Sequence, residues 1–305
     1  MSPPLVSVIV GVYNKDRFVG DCLKSVLAQT YPRWELIVVD DASTDASLPE
    51  IERTLAGETR ARVVRMERNS GRPAVARNRA CQVAKGTYVA FLDADDLWKP
   101  GKLEAQVAFM EAHPEVALSH TRCEVVDGEG RVLGVRHGTS LPSGSDVLPV
   151  LLRHCFVCTS TVMVRKHAGD VLGWFCEDPV FRCGEDFEFF LRCLRVGKLG
   201  LVDLVLGQYR EVGSSVSHED ENWRCQPSDY VHKKLFLERP SLWKGAVSEK
   251  EMRRIVWAAA EENAYHWRGR GEWGKALWFA WEMAKLRPYA PGTWRQIGGI
   301  LLRRR

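Results

Sequence analysis

Apolar runs alternate with segments of helical period through the first 120 residues, the signature of a parallel sheet whose strands are joined by crossover helices. Residues 5–12 read as a buried strand, and Phe18, Cys22, Leu23, Val26 and Leu27 mark the inner face of a helix that stops before Tyr31-Pro32. A second strand over 35–39 ends in Asp40-Asp41, after which the turn-prone Ala42-Ser43-Thr44-Asp45 caps a helix to about residue 55. A third strand covers 63–67, and a helix over 73–85 follows, opened by Pro73 and stopped by Gly86. The fourth strand, 88–92, again runs into acid, Asp93-Ala94-Asp95-Asp96, and Pro100 opens a helix to about residue 113.

Residues 115–165 suggest shorter strands with a turn at Asp127-Gly128. An amphipathic helix over 185–196 carries Phe189, Phe190, Cys193 and Leu194 among its apolar positions, and 201–209 is the last strand. Beyond about residue 240 the pattern is helical only, over 249–268, 272–286 and 292–302. The expected organisation is therefore an α/β body over 1–240 and a helical extension over 241–305.

Composition changes this picture in two places. No stretch approaches the roughly 20 apolar residues of a membrane span, and Met1-Ser2-Pro3-Pro4 lacks the basic flank and cleavage site of a signal peptide, so a cytoplasmic location is expected. Nine scattered cysteines agree with a reducing compartment, and Cys155 and Cys158, although preceded by His154, read as small buried thiols rather than a zinc or redox pair. The net charge of +4 is uneven: residues 241–305 hold 13 Lys and Arg against 6 Asp and Glu, with seven of the eleven tryptophans. A basic, Trp-rich end on a mildly acidic body points to two jobs in two places.

Acid at the ends of two strands is the chemical signal, because open α/β sheets bind ligands at the carboxyl ends of their strands. Three carboxylates at Asp93, Asp95 and Asp96 repel one another unless a cation or donors neutralise them. Hard oxygen ligands suit Mg²⁺ or Mn²⁺, which bridge protein carboxylates and diphosphates. Capping of the following helix would need only one of the three. At the other strand mouth, Asp41 can accept the imide N–H of a uracil base, while Asp45 reads equally well as a helix cap.

Together these segments resemble the family-2 glycosyltransferases, which have the GT-A fold. Val8-Ile9-Val10-Gly11-Val12-Tyr13-Asn14 resembles their first strand and base-binding turn. Residues 69–78, Asn-Ser-Gly-Arg-Pro-Ala-Val-Ala-Arg-Asn, resemble their glycine loop and the helix after it; Asp93-Ala94-Asp95 matches their Asp-x-Asp motif and Glu185-Asp186 their late Glu-Asp pair. The match spans roughly residues 5–215, in the family's order. The resemblance implies that Val12 and Tyr13 contact the base with Asp41, that Arg77 helps hold the nucleotide, that Asp93 touches the ribose or the metal shell, and that Asp95 ligates Mg²⁺ or Mn²⁺. Asp186 would be the general base of an inverting displacement, and a position at a helix start favours its ionised form. The donor implied is a nucleotide sugar, UDP-sugar first, and the acceptor a carbohydrate or lipid-linked group in surface-polysaccharide synthesis. Where relatives carry Tyr-Arg-x-His near the last strand, this chain has Tyr209, Arg210 and Val212, with His218 the nearest substitute for the histidine.

Two alternatives stand beside this reading. A nucleotidyltransferase would carry a basic, glycine-rich loop after its first strand, which Val12-Tyr13-Asn14 is not; a non-catalytic nucleotide-sugar binder would have lost Asp95 or Asp186. In the extension, Trp294, Ile297, Leu301 and Ile300 fall along one side of the last helix, with Arg303–Arg305 at its tip. That face either meets an anionic membrane surface or packs on neighbouring helices. No nucleic-acid module accompanies the charge.

Overall fold

A computed structural model describes residues 2–136, 143–144, 147–178, 184–211 and 230–302. The chain divides into two compact units, Met1–Val147 with Phe156–Gly213, and Leu148–Cys155 with Ser214–Arg305. The division at 213/214 precedes residue 240, and a short segment from the middle of the chain joins the second unit.

The first unit opens with β1 (Val6–Val12), α1 (Asp16–Leu27), β2 (Trp34–Asp40), α2 (Ser47–Thr54), β3 (Ala61–Arg65), α3 (Pro73–Cys81) and β4 (Tyr88–Asp93). These four strands are parallel, and nearly every residue of β1, β2 and β4 is buried, as expected where helices cover both faces of a sheet. Strand β3 starts two residues earlier than its apolar pair suggests, is mostly exposed, and lies at the edge with Arg62 and Arg65 along it. Register places Val12 beside Asp40, and Gly11 beside Asp93, so three strands end at one mouth. On one face of the sheet, Val8, Val10, Leu36, Val38, Ala90 and Leu92 pack with Leu23, Val26, Leu103 and Met110. Each Val, Leu and Met among them contributes about 1.5–3 kcal/mol when fully buried. Helix α3 turns the small Ala74, Ala76 and Ala80 inward, so that Gly11 and Ala76 can meet. It ends at Cys81, short of residue 85, and the chain returns to the sheet through Gly86, where a Cβ would lie 2.6 Å from Ser7 N and Tyr88 O.

The unit continues with β5 (Leu97–Trp98), α4 (Lys102–Ala112), β6 (Val116–Val126) and β7 (Val132–Val135). After α5 (Leu148–Arg153), which belongs to the second unit, come β8 (Met163–Arg165), α6 (Lys166–Leu172), α7 (Glu185–Cys193) and β9 (Lys198–Arg210). The described sheet has nine strands in the order β3-β2-β1-β4-β8-β6-β9-β5, with β7 on β6. Its second half is mixed: β8 is antiparallel to β4 and β6, whereas β6 and β9 are long and parallel. Helix α7 buries Phe187, Phe189, Phe190 and Leu191.

In the second unit, α8 (Tyr230–Leu237), α9 (Glu249–Gly269), α10 (Trp273–Leu286) and α11 (Pro291–Leu301) follow. The last three match the expected helices to within two residues; α8 was not expected. Ser248 caps α9 by accepting the Glu251 N–H at 3.1 Å. Ile255, Val256, Ala259 and Ala260 of α9 and Phe279, Ala280 and Met283 of α10 are buried. Helix α11 buries Thr293, Gln296 and Ile300 and leaves Trp294 and Leu301 exposed, so the expected single apolar side is split between two faces. Among the described residues no helix is long and apolar enough to cross a membrane, and the described cysteines are free thiols.

Candidate active site

The end of β4 crowds three carboxylates into four residues, and each is answered differently. Asp93 receives the Arg77 guanidinium at 2.6 Å. Asp95 receives the Lys15 ammonium at 2.7 Å. Asp96 is buried; its carboxylate accepts the Ser160 hydroxyl and, at 2.8 Å, the Arg210 backbone N–H. Burial pushes the Asp96 carboxyl well above the usual range, and charge on Cys158, Asp95 and Asp93 adds to the shift. The Arg210 side chain also donates to the Asp95 carbonyl at 2.9 Å and to the Gly128 carbonyl at 3.0 Å, tying this loop to the end of β9.

The loops after β1 and β2 are stitched together beside it. Asn14 sits at φ 51°, donates its N–H to Ser43 Oγ at 3.0 Å, and accepts the Thr44 N–H at 2.8 Å. Asp45 accepts the N–H groups of Ser47 and Asp16, the structural role that was one of its two readings. Val12 is buried and Tyr13 is 44 % exposed at the tip. Asp41 accepts the Ser70 N–H at 2.9 Å and the Ser70 hydroxyl at 2.7 Å, so it also fastens the glycine loop. Burial outweighs those hydrogen bonds and raises its carboxyl above the usual range. Beside it, Asp40 is fully buried, and its Oδ2 has no hydrogen-bond partner among the described residues.

The opposite wall is the start of α7. Gly184 takes φ 84° to turn the chain into the helix, a conformation that strains any other residue. Asp186 Oδ1 accepts the Phe187 N–H at 2.7 Å, and Oδ2 accepts the Thr159 hydroxyl. The adjacent Glu185 is buried and paired with Arg77 at 2.5 Å. One buried guanidinium thus joins α3, the end of β4 and the start of α7. Burial raises Glu185 to about 7 against the lowering pull of Arg77. Burial acts to lower the Arg77 pKa, and its carboxylate neighbours more than reverse this.

The sequence signature of Glycosyl transferase family 2 matches residues 7–167, more than half of the chain. A teichuronic acid biosynthesis glycosyltransferase of Bacillus subtilis, TuaG, is 37 % identical over 225 residues, covering 73 % of this chain and 84 % of its own length. The chain is a family-2 glycosyltransferase. The glycosyltransferase EpsE of Bacillus subtilis is 35 % identical over 267 residues, 87 % of this chain and 94 % of its own. The Escherichia coli UDP-Glc:α-D-GlcNAc-diphosphoundecaprenol β-1,3-glucosyltransferase WfgD is 29 % identical over 219 residues, 71 % of this chain and 81 % of its own. In fold, the enzyme resembles S. aureus TarS 1-349 in complex with UDP-GlcNAc (TM-score 0.67, 20 % identity, 92 % of this chain and 81 % of that one). It also resembles the mannosyltransferase PcManGT of Pyrobaculum calidifontis in complex with GDP-Man and Mn²⁺ (TM-score 0.59, 20 % identity, 99 % and 86 %). These neighbours show the GT-A fold, and membership of the family displaces the nucleotidyltransferase and non-catalytic alternatives.

The glycosyltransferase brings Arg77, Asp93 and the start of α7 together through direct ion pairs, while Tyr13 and Asp41 line the neighbouring loops. Lys15, Thr159 and Ser160 were not singled out from sequence, and Arg210 was named only as part of the Tyr-Arg-x-His position, without its contacts to Asp95 and Asp96. Lys15 had a signal, as the first cation after the Tyr13-Asn14 turn; Thr159 and Ser160 act through space from the 159–161 turn, where the local pattern says nothing. Val212 and His218 lie outside the described residues, as do Arg303–Arg305.

Proposed function

We propose that the enzyme transfers a sugar from a UDP-sugar to a carbohydrate or lipid-linked acceptor, with inversion, in surface-polysaccharide synthesis. The observation that carries this reading is the Arg77 bridge, which holds the donor-side Asp93 and the helix start bearing Asp186 in one buried ion-pair network. Tyr13 and Asp41 contact the base, Val12 closes its floor, and Asp93 takes the ribose. Arg77 serves the nucleotide through Asp93, whose position it fixes.

Asp186 is the general base. Its carboxylate lies in the first turn of α7, where the Phe187 N–H and the Thr159 hydroxyl fix its orientation. It removes the acceptor hydroxyl proton as that oxygen bonds to the anomeric carbon; the bond from that carbon to the diphosphate oxygen breaks, and the electron pair leaves with the nucleoside diphosphate. One in-line displacement on the face opposite the leaving group inverts the centre. Asp95 fits a Mg²⁺ or Mn²⁺ ligand, because it is only partly buried and a lysine ammonium already rests on it as a stand-in cation. When bound, the ion supplies positive charge against the leaving diphosphate.

The acceptor reading extends to the second unit. Trp281, Tyr289, Trp294, Leu301 and Leu302 are exposed there, among the exposed cations Lys285, Arg287 and Arg295. Tryptophan and tyrosine with basic neighbours suit the interface of an anionic membrane, so we place this surface against the cytoplasmic leaflet, where a lipid-linked acceptor is presented. The test of the reaction is a panel of UDP-, dTDP- and GDP-sugars with Mn²⁺, each followed by NMR of the anomeric proton in the product. Turnover of a UDP-sugar with inversion is expected; retention of configuration, or preference for a purine nucleotide, overturns the reading.

A further inference from the structure

We propose that Lys15 is a movable counter-ion built into the site: it neutralises Asp95 in the empty enzyme and yields that carboxylate to the divalent cation, turning its own charge to the donor's diphosphate. This rests on the reading of Asp95 as the metal ligand.

The three neutralising partners at the end of β4 differ in how freely they can leave. Arg77 is buried and held from its other side by Glu185. The donors to Asp96 are the Ser160 hydroxyl and a strand N–H of β9, both buried. Neither can withdraw without opening the core. The Lys15–Asp95 pair is partly open to water, with side-chain exposures of 20 % and 15 %. Apart from that pair, and among the described residues, Lys15 is anchored through its backbone: its N–H donates to Ser47 Oγ at 2.7 Å, and its carbonyl accepts the N–H groups of Phe18 and Val19 at the start of α1. What remains free is a four-carbon stem carrying a compact, strongly hydrated charge, suited to move where a guanidinium fork is not.

A divalent cation reaching Asp95 meets the lysine charge at the same oxygen, and repulsion between like charges in a partly dehydrated site expels the ammonium. With no anion to receive it, that expulsion opposes metal binding. With a diphosphate in the mouth, the ammonium exchanges one anionic partner for another, and the opposition disappears. Lysine 15 therefore couples metal binding to nucleotide binding, and by linkage each ligand tightens the other equally. The empty enzyme stays neutralised, and the full charge of metal and lysine is assembled only around a bound donor.

The test is titration of free Mn²⁺, read by electron paramagnetic resonance, with and without UDP, on the full chain of wild type, Lys15→Met, Lys15→Arg and Asp95→Asn. Removing the lysine should tighten Mn²⁺ binding without UDP by roughly tenfold and shrink the enhancement given by UDP by a similar factor. Lys15→Arg, which holds Asp95 with a fork, should bind Mn²⁺ less tightly than wild type without UDP. Lys15→Gln repeats the first comparison if the methionine variant does not fold. A Lys15→Met protein with wild-type Mn²⁺ affinity and wild-type coupling overturns the inference while leaving Asp95 as the ligand. An Asp95→Asn protein that binds Mn²⁺ as wild type does overturns the ligand reading itself, and the inference with it.

Discussion

Each unit holds an ionic cluster around a buried charge, and the two have opposite balances of charge. In the first, one guanidinium is shared by Asp93 and Glu185, with Asp186 the next residue along. In the second, one carboxylate, Glu282, accepts from the Tyr230 hydroxyl at 2.6 Å and from Lys234 and Lys285 at 2.5 and 2.6 Å. Burial drives both glutamates upward. The three donors overcome it at Glu282 and hold that group down to about 2, whereas Arg77 does not at Glu185, which stays at about 7. A saturated cluster stabilises its surroundings. A cluster left short of positive charge costs stability and leaves room for cationic chemistry, the pattern expected of a working site.

The largest expected effect separates chemistry from stability in the first cluster. Asp186→Asn should lose about 10²–10⁴-fold in kcat, keep its nucleotide affinity and keep its melting temperature. Loss of melting temperature with kcat spared would make Asp186 a helix cap. The mirror experiment is Glu282→Gln, which leaves Lys234, Lys285 and Tyr230 facing a neutral amide and should cost about 1.5–3 kcal/mol in denaturant unfolding. Turnover of a soluble acceptor should not change; a fall in kcat at full folding would erase the contrast between the clusters.

A pH series sharpens the contrast further. Because Glu185 lies above its ordinary value of 4.5, the native chain keeps between pH 4.5 and about 7 a proton that the unfolded chain has released. Its contribution to stability is therefore complete below pH 4.5 and is lost as pH rises through 7. Glu185→Gln removes this dependence, so the stability difference between variant and wild type should change by about 1–3 kcal/mol between pH 5 and 8. Equal slopes would mean that Glu185 is ionised throughout and that the first cluster is not short of cations. The smallest effect lies at the surface. Trp281→Ser with Trp294→Ser should weaken sedimentation with anionic vesicles roughly tenfold at low salt, with little binding to neutral vesicles by either protein. Equal binding of variant and wild type would remove membrane contact from this face.

Legibility from sequence followed how local each cause was. Strands β1, β2 and β4 were plain because both faces are buried and the apolar run is nearly unbroken. Strand β3 slipped by two residues because its register is set by pairing with β2, Leu36 to Ala61 through Asp40 to Arg65, rather than by its two valines. Helix α8 was missed beside the lysine pair 233–234; Lys233 is buried and donates to the Arg153 carbonyl at 2.6 Å, a tertiary contact with no local trace. In α11 the spacing of Trp294 and Leu301 was seen, but Ile300 packs with Thr293 and Gln296 on another face. At the site, Asp93, Asp95 and Asp186 announced themselves as acid at element ends. The groups that neutralise or orient them come from up to 115 residues away, and only the folded chain brings them near.

The bond from the Arg210 N–H to Asp96 also carries the boundary of the site beyond its recognisable signature. The family signature closes at residue 167, yet a protein cut there would keep all three carboxylates of β4 and lose β9, together with Glu185. Asp96 would lose a backbone donor, Arg77 one of its two partners, and β6 would present an open edge along ten paired positions, Val116 through Val126. During synthesis the same holds in time: the β1–β4 half is translated first but remains unfinished until residue 210 has left the ribosome. Anyone trimming, fusing or splitting this chain should treat the end of β9, not the end of the recognisable signature, as the boundary that keeps the site intact.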